Sequence, residues 1–285
     1  MALTAIINSA SGSVPADAQA LLEAALEELG ERATIHLVSP GCSVPDMLAG
    51  ASATSPDAVI VWAGDGTVAA VLDATGPSGA PVLALPGGTM NLLHKAIHGE
   101  ADWKGCLTGA LRSRASVPIP AGVVDGRRFY VAAMLGNLTH LAESREALRA
   151  GNALEAVATL GQAPVLDLET TLDIHADRGG EAGVLHLPAT AAAILPSGRL
   201  GGGLEVGAID PGNILELTAT GLAAMFRDWR ELDSVSRVLA QTVIVEHRVG
   251  EEMHVTLDGE VVMLPPRAIF SRIDTAARVL SARSA

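Results

Sequence analysis

Ala58-Val59-Ile60-Val61-Trp62-Ala63-Gly64-Asp65-Gly66-Thr67 and Val82-Leu83-Ala84-Leu85-Pro86-Gly87-Gly88-Thr89-Met90-Asn91 repeat one arrangement, a short apolar strand running into a glycine-rich turn. Each turn leads into a stretch with helical character, Val68 to Ala74 and then Leu92 to Ile97. Strand, glycine turn and helix start together expose backbone N–H groups at a helix N-terminus, where the dipole favours an anion. Two such turns on neighbouring parallel strands could grip one polyphosphate. Neither is a Walker loop, since no Gly-Lys-Ser/Thr follows, and Gly64 and Gly66 lack the third glycine of the dinucleotide fingerprint. The pairing, and the Asp, Thr and Asn side chains inside the turns, raise the signal above that of a lone tight turn. A hydroxyl and an amide can bond phosphate oxygens, whereas a carboxylate beside phosphate implies a cation between them. Asp65 is also readable as a helix-capping residue, but its neighbours favour a role in holding Mg²⁺ or the phosphate network.

Working outward, the first part of the chain alternates strand and helix. Thr4 to Asn8 reads as a strand, Pro15 to Leu29 as a helix with Leu21, Leu22, Ala25, Leu26 and Leu29 on one face, and Thr34 to Val38 as a second strand broken by Ser39-Pro40-Gly41. Such alternation implies a parallel sheet covered by helices, with ligand at the carboxyl ends of the strands. Asn8, Ser39, Asp65 and Thr89 would share that edge.

After Ser116 the pattern turns to strands: Val117 to Val124, Arg128 to Met134, Asp167 to Ala176, Gly183 to Leu195, Ile214 to Ala219, Thr242 to Glu246, His254 to Leu257 and Glu260 to Met263. Asp125-Gly126 and Asp258-Gly259 are hairpin signals. Leu138 to Leu160 and Leu222 to Leu232 read as helices. The expected fold class is α/β plus β. A parallel-sheet nucleotide-binding domain over 1–116 precedes a mainly antiparallel β-sandwich domain over 117–285.

Composition narrows the function. The chain has 285 residues, 49% of them apolar and 18% charged, with a formal net charge of −13. That charge argues against nucleic-acid binding and broad attachment to anionic lipid. No run approaches the roughly 18 apolar residues of a spanning helix. The N-terminus lacks a basic region and Asn8 interrupts its apolar stretch, so no signal peptide is expected. Two cysteines, Cys42 and Cys106, make no disulfide framework and suit a reducing cytoplasm. His94 and His98 are spaced i, i+4, but no third ligand is evident, and the pair reads as a solvated helix face.

Beyond the two turns, the chain carries Ile6-Ile7-Asn8-Ser9-Ala10-Ser11-Gly12 near its start, Gly201-Gly202-Gly203 later, and Asp258-Gly259-Glu260 near its end. In this order the motifs resemble those of the diacylglycerol kinase-like lipid kinases, a family that includes sphingosine and ceramide kinases and shares a superfamily with NAD kinases. The resemblance runs along nearly the whole chain and implies an α/β nucleotide domain paired with a β-sandwich, the site lying in the cleft between them. It implies ATP and Mg²⁺ as cofactors and a lipid hydroxyl as acceptor. Glu260 would be the general base, with Asp258 its orienting or metal-linked partner. Asn8, Ser39, Gly64, Asp65, Gly66, Thr67, Gly88, Thr89 and Asn91 would hold the nucleotide. The family pattern is not fully kept. Ser9 stands for proline, Ala63 for the first glycine of the first turn, and Leu92 for an aspartate. The loop after Gly203 shortens to Glu205-Val206-Gly207-Ala208-Ile209-Asp210-Pro211-Gly212, leaving Asp210 as the one obvious carboxylate for a structural Mg²⁺.

A lipid kinase must reach the bilayer, so transient contact with the inner membrane face by a cytoplasmic protein is expected, with Phe226, Trp229 and Arg230 as the docking region. A homodimer is compatible with the resemblance. NAD kinase activity and a nucleotide-binding regulator without catalysis are the rival readings.

Overall fold

The structure is a computed structural model that describes residues 1–38, 56–136, 171–196, 202–209 and 235–282. Its contacts divide the chain into two units, Met1–Ala121 with Asp274–Ala285, and Gly122–Ile273.

In the first unit the described order is β1 (Leu3–Ile7), α1 (Ala18–Glu28), β2 (Ala33–Leu37), β3 (Ala58–Ala63), α2 (Asp65–Thr75), β4 (Val82–Pro86), α3 (Leu92–His98), α4 (Trp103–Ser113) and β5 (Ala115–Val124), whose last residues pass into the second unit. Strands β2, β1, β3 and β4 lie side by side and parallel. Every residue of β1 and β3 is buried, as expected for central parallel strands covered on both faces. Leu3, Ala5 and Ile7 of β1, Ile60 and Trp62 of β3, and Leu83 and Leu85 of β4 join one apolar cluster with Leu22 and Leu26 of α1 and Leu107 and Leu111 of α4. The intervening Ile6, Val59 and Val61 are equally buried.

The second unit continues with β6 (Arg127–Phe129), β7 (Ala133–Gly136), β8 (Leu172–Asp177), β9 (Val184–Ala189), β10 (Ala191–Leu195), β11 (Leu204–Ile209), β12 (Val235–Ala240), β13 (Thr242–His247), β14 (Met253–Leu257), β15 (Glu260–Leu264) and β16 (Arg267–Ser281). One antiparallel sheet runs β12-β11-β10-β7-β14-β15. The start of β16 pairs with β13, then β8 and β9 follow, also antiparallel. Leu135, Ile194, Val206 and Val255 of the first sheet share a core with Ile174, Val243 and Phe270 of the second. The expected fold class, a parallel α/β unit and an antiparallel β unit, is borne out. No helix among the described residues is long and apolar enough to cross a membrane.

Four expectations are corrected. The second domain does not run to 285, because the end of β16 returns to the first unit and pairs parallel with β4, Val279 opposite Val82. Arg128 to Met134 is two strands rather than one, for a reason that lies in Asp258 and is given below. Gly183 to Leu195 also divides, at buried Thr190, so that β9 and β10 enter different sheets. Residues 204–209, read as part of a shortened loop, form β11, buried along its length between β10 and β12. The expected elements at 138–160, 214–219 and 222–232, and the docking region at Phe226, Trp229 and Arg230, lie outside the described residues.

Gly122 faces Phe129 across the β5–β6 hairpin, and a Cβ at Gly122 would be driven into the Phe129 ring. That ring is wholly buried and meets Phe270 edge-on at 6.2 Å. Gly122→Ala should therefore destabilise the second unit by about 1–3 kcal/mol, the usual cost of overpacking. Urea unfolding monitors this, and an unchanged midpoint would mean that the ring can be displaced freely.

Candidate functional site

Register brings the two glycine turns together. Ala63 at the end of β3 lies opposite Pro86 at the end of β4, so Gly64 and Gly87 leave the sheet side by side. Ile7 lies opposite Trp62, and the Asn8 amide donates to the Trp62 carbonyl at 3.0 Å. Three segments thus meet at the carboxyl edge of a parallel sheet, where open α/β folds place ligands. Close approach needs glycine here. A Cβ on Gly88 would stand 2.9 Å from the Gly64 Cα, and one on Gly87 would stand 2.8 Å from the Ala63 backbone nitrogen.

Side chains then lock the turns to one another. The Ser11 hydroxyl accepts the Gly64 amide proton at 3.0 Å, and the Ser13 hydroxyl donates to the Gly88 carbonyl at 2.8 Å. The Asn8 side-chain amide donates to the Thr67 hydroxyl at 3.1 Å. Asn91, in the left-handed region at φ 51°, turns its side-chain oxygen back to accept the Gly88 amide proton at 2.7 Å. Asp65 makes the cross-link between turns. Its two oxygens accept the amide protons of Leu93 at 2.9 Å and Leu92 at 3.1 Å. Asp65 therefore caps α3, the helix after the other turn, while Gly64 occupies the N-cap of its own helix. An anionic cap at a helix start satisfies orphan donors and complements the dipole together.

These bonds consume some amides and leave others. Among the described residues nothing accepts the amide protons of Gly66, Thr67 or Thr89. Gly66 and Thr89 are exposed and Thr67 is half-buried. The arrangement can bind an anion. Asn8, Gly64, Asp65, Gly66, Thr67, Gly88, Thr89 and Asn91 are all brought to this edge, whereas Ser39 and Asp210 lie outside the described residues. Sequence reading missed Ser11 and Ser13. Their only signal was their place between the Asn8 turn and the first helix.

In the second unit Asp258-Gly259 forms the expected tight hairpin, with φ 48° and 96°, and Leu257 lies opposite Glu260. The Asp258 carboxylate accepts three successive amide protons, from Tyr130 at 2.6 Å, Val131 at 2.8 Å and Ala132 at 3.0 Å. Those amides are thereby withdrawn from strand pairing, which is why β6 and β7 are separate strands. Glu260 opens β15 and is exposed.

His94 and His98 are not a solvated face. Both are buried, at 4% and 3% exposure, and their rings lie 5.1 Å apart. His94 Nδ1 stands 3.0 Å from the Ala84 carbonyl oxygen and Nε2 stands 2.8 Å from that of Ala101. Cys106 of α4 is buried beside them, and its thiol is pushed up to about 12 by desolvation and then by the charge of Asp102. The i, i+4 spacing fixed a shared face, but only packing could reveal that this face points inward.

Residues 2–122 match the family model for the diacylglycerol kinase catalytic domain. A crystal structure from Bacillus anthracis str. Sterne, provisionally assigned as a diacylglycerol kinase, superposes with a TM-score of 0.70 at 17% identity, covering 98% of this chain and 96% of that one. A second diacylglycerol kinase structure from that organism gives 0.65 at 15% identity, covering 98% and 96%. An NAD kinase from Archaeoglobus fulgidus in complex with ATP gives 0.53 at 12% identity, covering 99% and 94%. The resemblance read from the motifs is borne out over residues 2–122, and these structures share the fold of nearly the whole chain.

Asp65→Ala should destabilise the first unit by about 1–3 kcal/mol, since a charged acceptor for two amides is lost. Asp65→Asn, which keeps one oxygen acceptor, should fall between. Chemical denaturation distinguishes them, and wild-type stability in both variants would show that α3 needs no cap from the other turn.

Proposed function

On the premise of a diacylglycerol kinase catalytic domain at residues 2–122, we propose that the protein transfers the γ-phosphoryl group of ATP to the hydroxyl of a lipid such as a diacylglycerol or a sphingoid base. The observation that carries this reading is the pair of cross-linked turns at the sheet edge, where among the described residues nothing accepts the amide protons of Gly66, Thr67 and Thr89. Fixed amides at a helix start suit phosphate oxygens, and phosphoryl transfer depends mainly on such positioning and charge neutralisation. The hydroxyls of Thr67 and Thr89 would add to them. Asp65, whose oxygens each accept an amide proton, serves as the brace of this cradle. Mg²⁺ would arrive on the phosphates of ATP and neutralise their charge, and no residue is assigned to it.

In the second unit the two carboxylates divide their work. Asp258 accepts three backbone donors, which suits an orienting role. Glu260, exposed at the start of β15, is the proposed general base. It takes the proton of the lipid hydroxyl as that oxygen bonds to the γ-phosphorus and the bond to the β–γ bridging oxygen breaks, releasing ADP. Transient docking at the inner membrane face remains part of the proposal.

NAD kinase is the nearest rival, supported by the ATP-bound relative of similar fold. The Pro86–Asn91 turn and the late Asp258-Gly259-Glu260 triplet favour the lipid reading. Loss of catalysis is disfavoured by one detail. Leu92, which replaces a family aspartate, engages Asp65 through its backbone amide, so the side-chain change leaves that contact intact.

Glu260→Gln should keep ATP affinity and lower turnover on a lipid alcohol by roughly 10²–10⁴, the range of a positioned general base. A labelled-ATP assay over a lipid panel, with NAD as a parallel acceptor, reads both substrate and rate. Near-normal turnover in the variant would remove Glu260 from the mechanism, and NADP formation without lipid phosphorylation would place NAD kinase first.

A further inference from the structure

We propose that His94, His98 and Cys106 form a buried structural site for a borderline-soft divalent transition ion of the zinc(II) type, joining α3 to α4. The argument is independent of the kinase reading.

One donor atom from each side chain lies within 4.8 Å of the other two, and all three residues are buried. Bonds of about 2.0 Å to imidazole nitrogen and 2.3 Å to sulfur give ligand-to-ligand edges of about 3.3–3.8 Å in a tetrahedron. Closing on an ion therefore asks for roughly an ångström of movement, within the reach of small side-chain rotations. The Ala84 carbonyl oxygen is a fourth donor in place, 3.0 Å from His94 Nδ1 and 3.9 Å from Cys106 Sγ. Two imidazoles and a thiolate select zinc, cobalt or copper and reject magnesium and calcium.

His94 supplies the second, independent observation. Both its ring nitrogens face carbonyl oxygens. A neutral imidazole has one N–H and can satisfy only one of them, leaving a lone pair against a lone pair at the other. A buried imidazolium would satisfy both at a desolvation cost. An ion on Nδ1 resolves the conflict differently. Nε2–H then donates to the Ala101 carbonyl at 2.8 Å, the outer-shell bond that metal-bound histidines usually make. The 3.0 Å approach of Nδ1 to the Ala84 oxygen becomes a distance between neighbouring ligands. His98 meets the Ala282 amide through Nδ1 at 3.5 Å, at the long limit of a hydrogen bond. Loading would release the Cys106 thiol proton to solvent, because the ligand is the thiolate.

The place of the site gives it a structural consequence. Helix α3 has seven residues, too few to hold its shape alone. Asp65 fixes its first turn, and the ion would fix its last.

The test uses the full chain, expressed in zinc-supplemented medium, dialysed extensively and subjected to elemental analysis, and separately refolded with cobalt(II). The expected result is one zinc per chain. Cobalt should give thiolate-to-metal charge-transfer absorption with the d–d bands of a tetrahedral ion, and the melting temperature should rise on loading. Cys106→Ser should lose the charge-transfer band, and His98→Gln should lower the stoichiometry and abolish the melting shift. Substoichiometric zinc with no cobalt spectrum in the wild-type chain would overturn the proposal, as would an unchanged charge-transfer band in Cys106→Ser. Should Cys106→Ser fail to fold, the wild-type spectrum and His98→Gln decide.

Discussion

The bond from the Asp65 carboxylate to the amides of Leu92 and Leu93 makes the two glycine turns a single object. Without it, each turn would be a loop at the end of its own strand. The sheet register brings the turns side by side, and glycine at 87 and 88 lets their backbones approach, but neither fixes the angle at which α3 leaves. A carboxylate from one turn placed at the helix start of the other does fix it. The segment after β1 completes the lock, with Ser11 holding the first turn and Ser13 the second. Amides held by such a network are ordered by the fold itself, so an anion bound there would not have to order them.

The same physics operates in the second unit, where a carboxylate again takes backbone amides as its partners. Asp258 accepts three from Tyr130, Val131 and Ala132, and the hairpin it begins is thereby pinned to the connection between β6 and β7. The cost is the interruption of a strand. What is gained is a fixed exit for β15 and hence a defined place for Glu260. In an acidic chain, these two carboxylates do structural work because each sits where amide donors would otherwise be left unmade.

Local signals were legible wherever the backbone itself decides the outcome. The glycine turns, the fully apolar strands β1 and β3, and the Asp125-Gly126 and Asp258-Gly259 hairpins were all readable, because each follows from φ preference or burial within a few residues. Legibility failed where a distant partner decides. The break at Tyr130–Ala132 depends on a carboxylate far along the chain, and no periodicity announces it. Thr190 lets β9 and β10 enter different sheets within a run that is uniformly strand-like. Residues 204–209, rich in small side chains, are a buried strand because β10 and β12 flank them. The end of β16 crosses back because β4 offers it an edge.

For the candidate site, the sequence showed which residues reach the sheet edge but not which of their atoms are already engaged. Asp65 and Asn91 read as ligand contacts, yet their side chains hold backbone amides of the turns. The distinction bears on position 92, where the resemblance leads to the expectation of an aspartate. An aspartate after Asn91 would add a second carboxylate beside Asp65 at the start of α3. Leucine there removes that like charge, and the first-turn amide that Asp65 needs belongs to the backbone of any residue but proline. The geometry of the turns is thus insulated from side-chain identity at position 92, whereas at Gly88 a single Cβ would reach the Gly64 backbone. Constraint in this cradle falls on the residues that let the two turns approach and on the carboxylate that ties them.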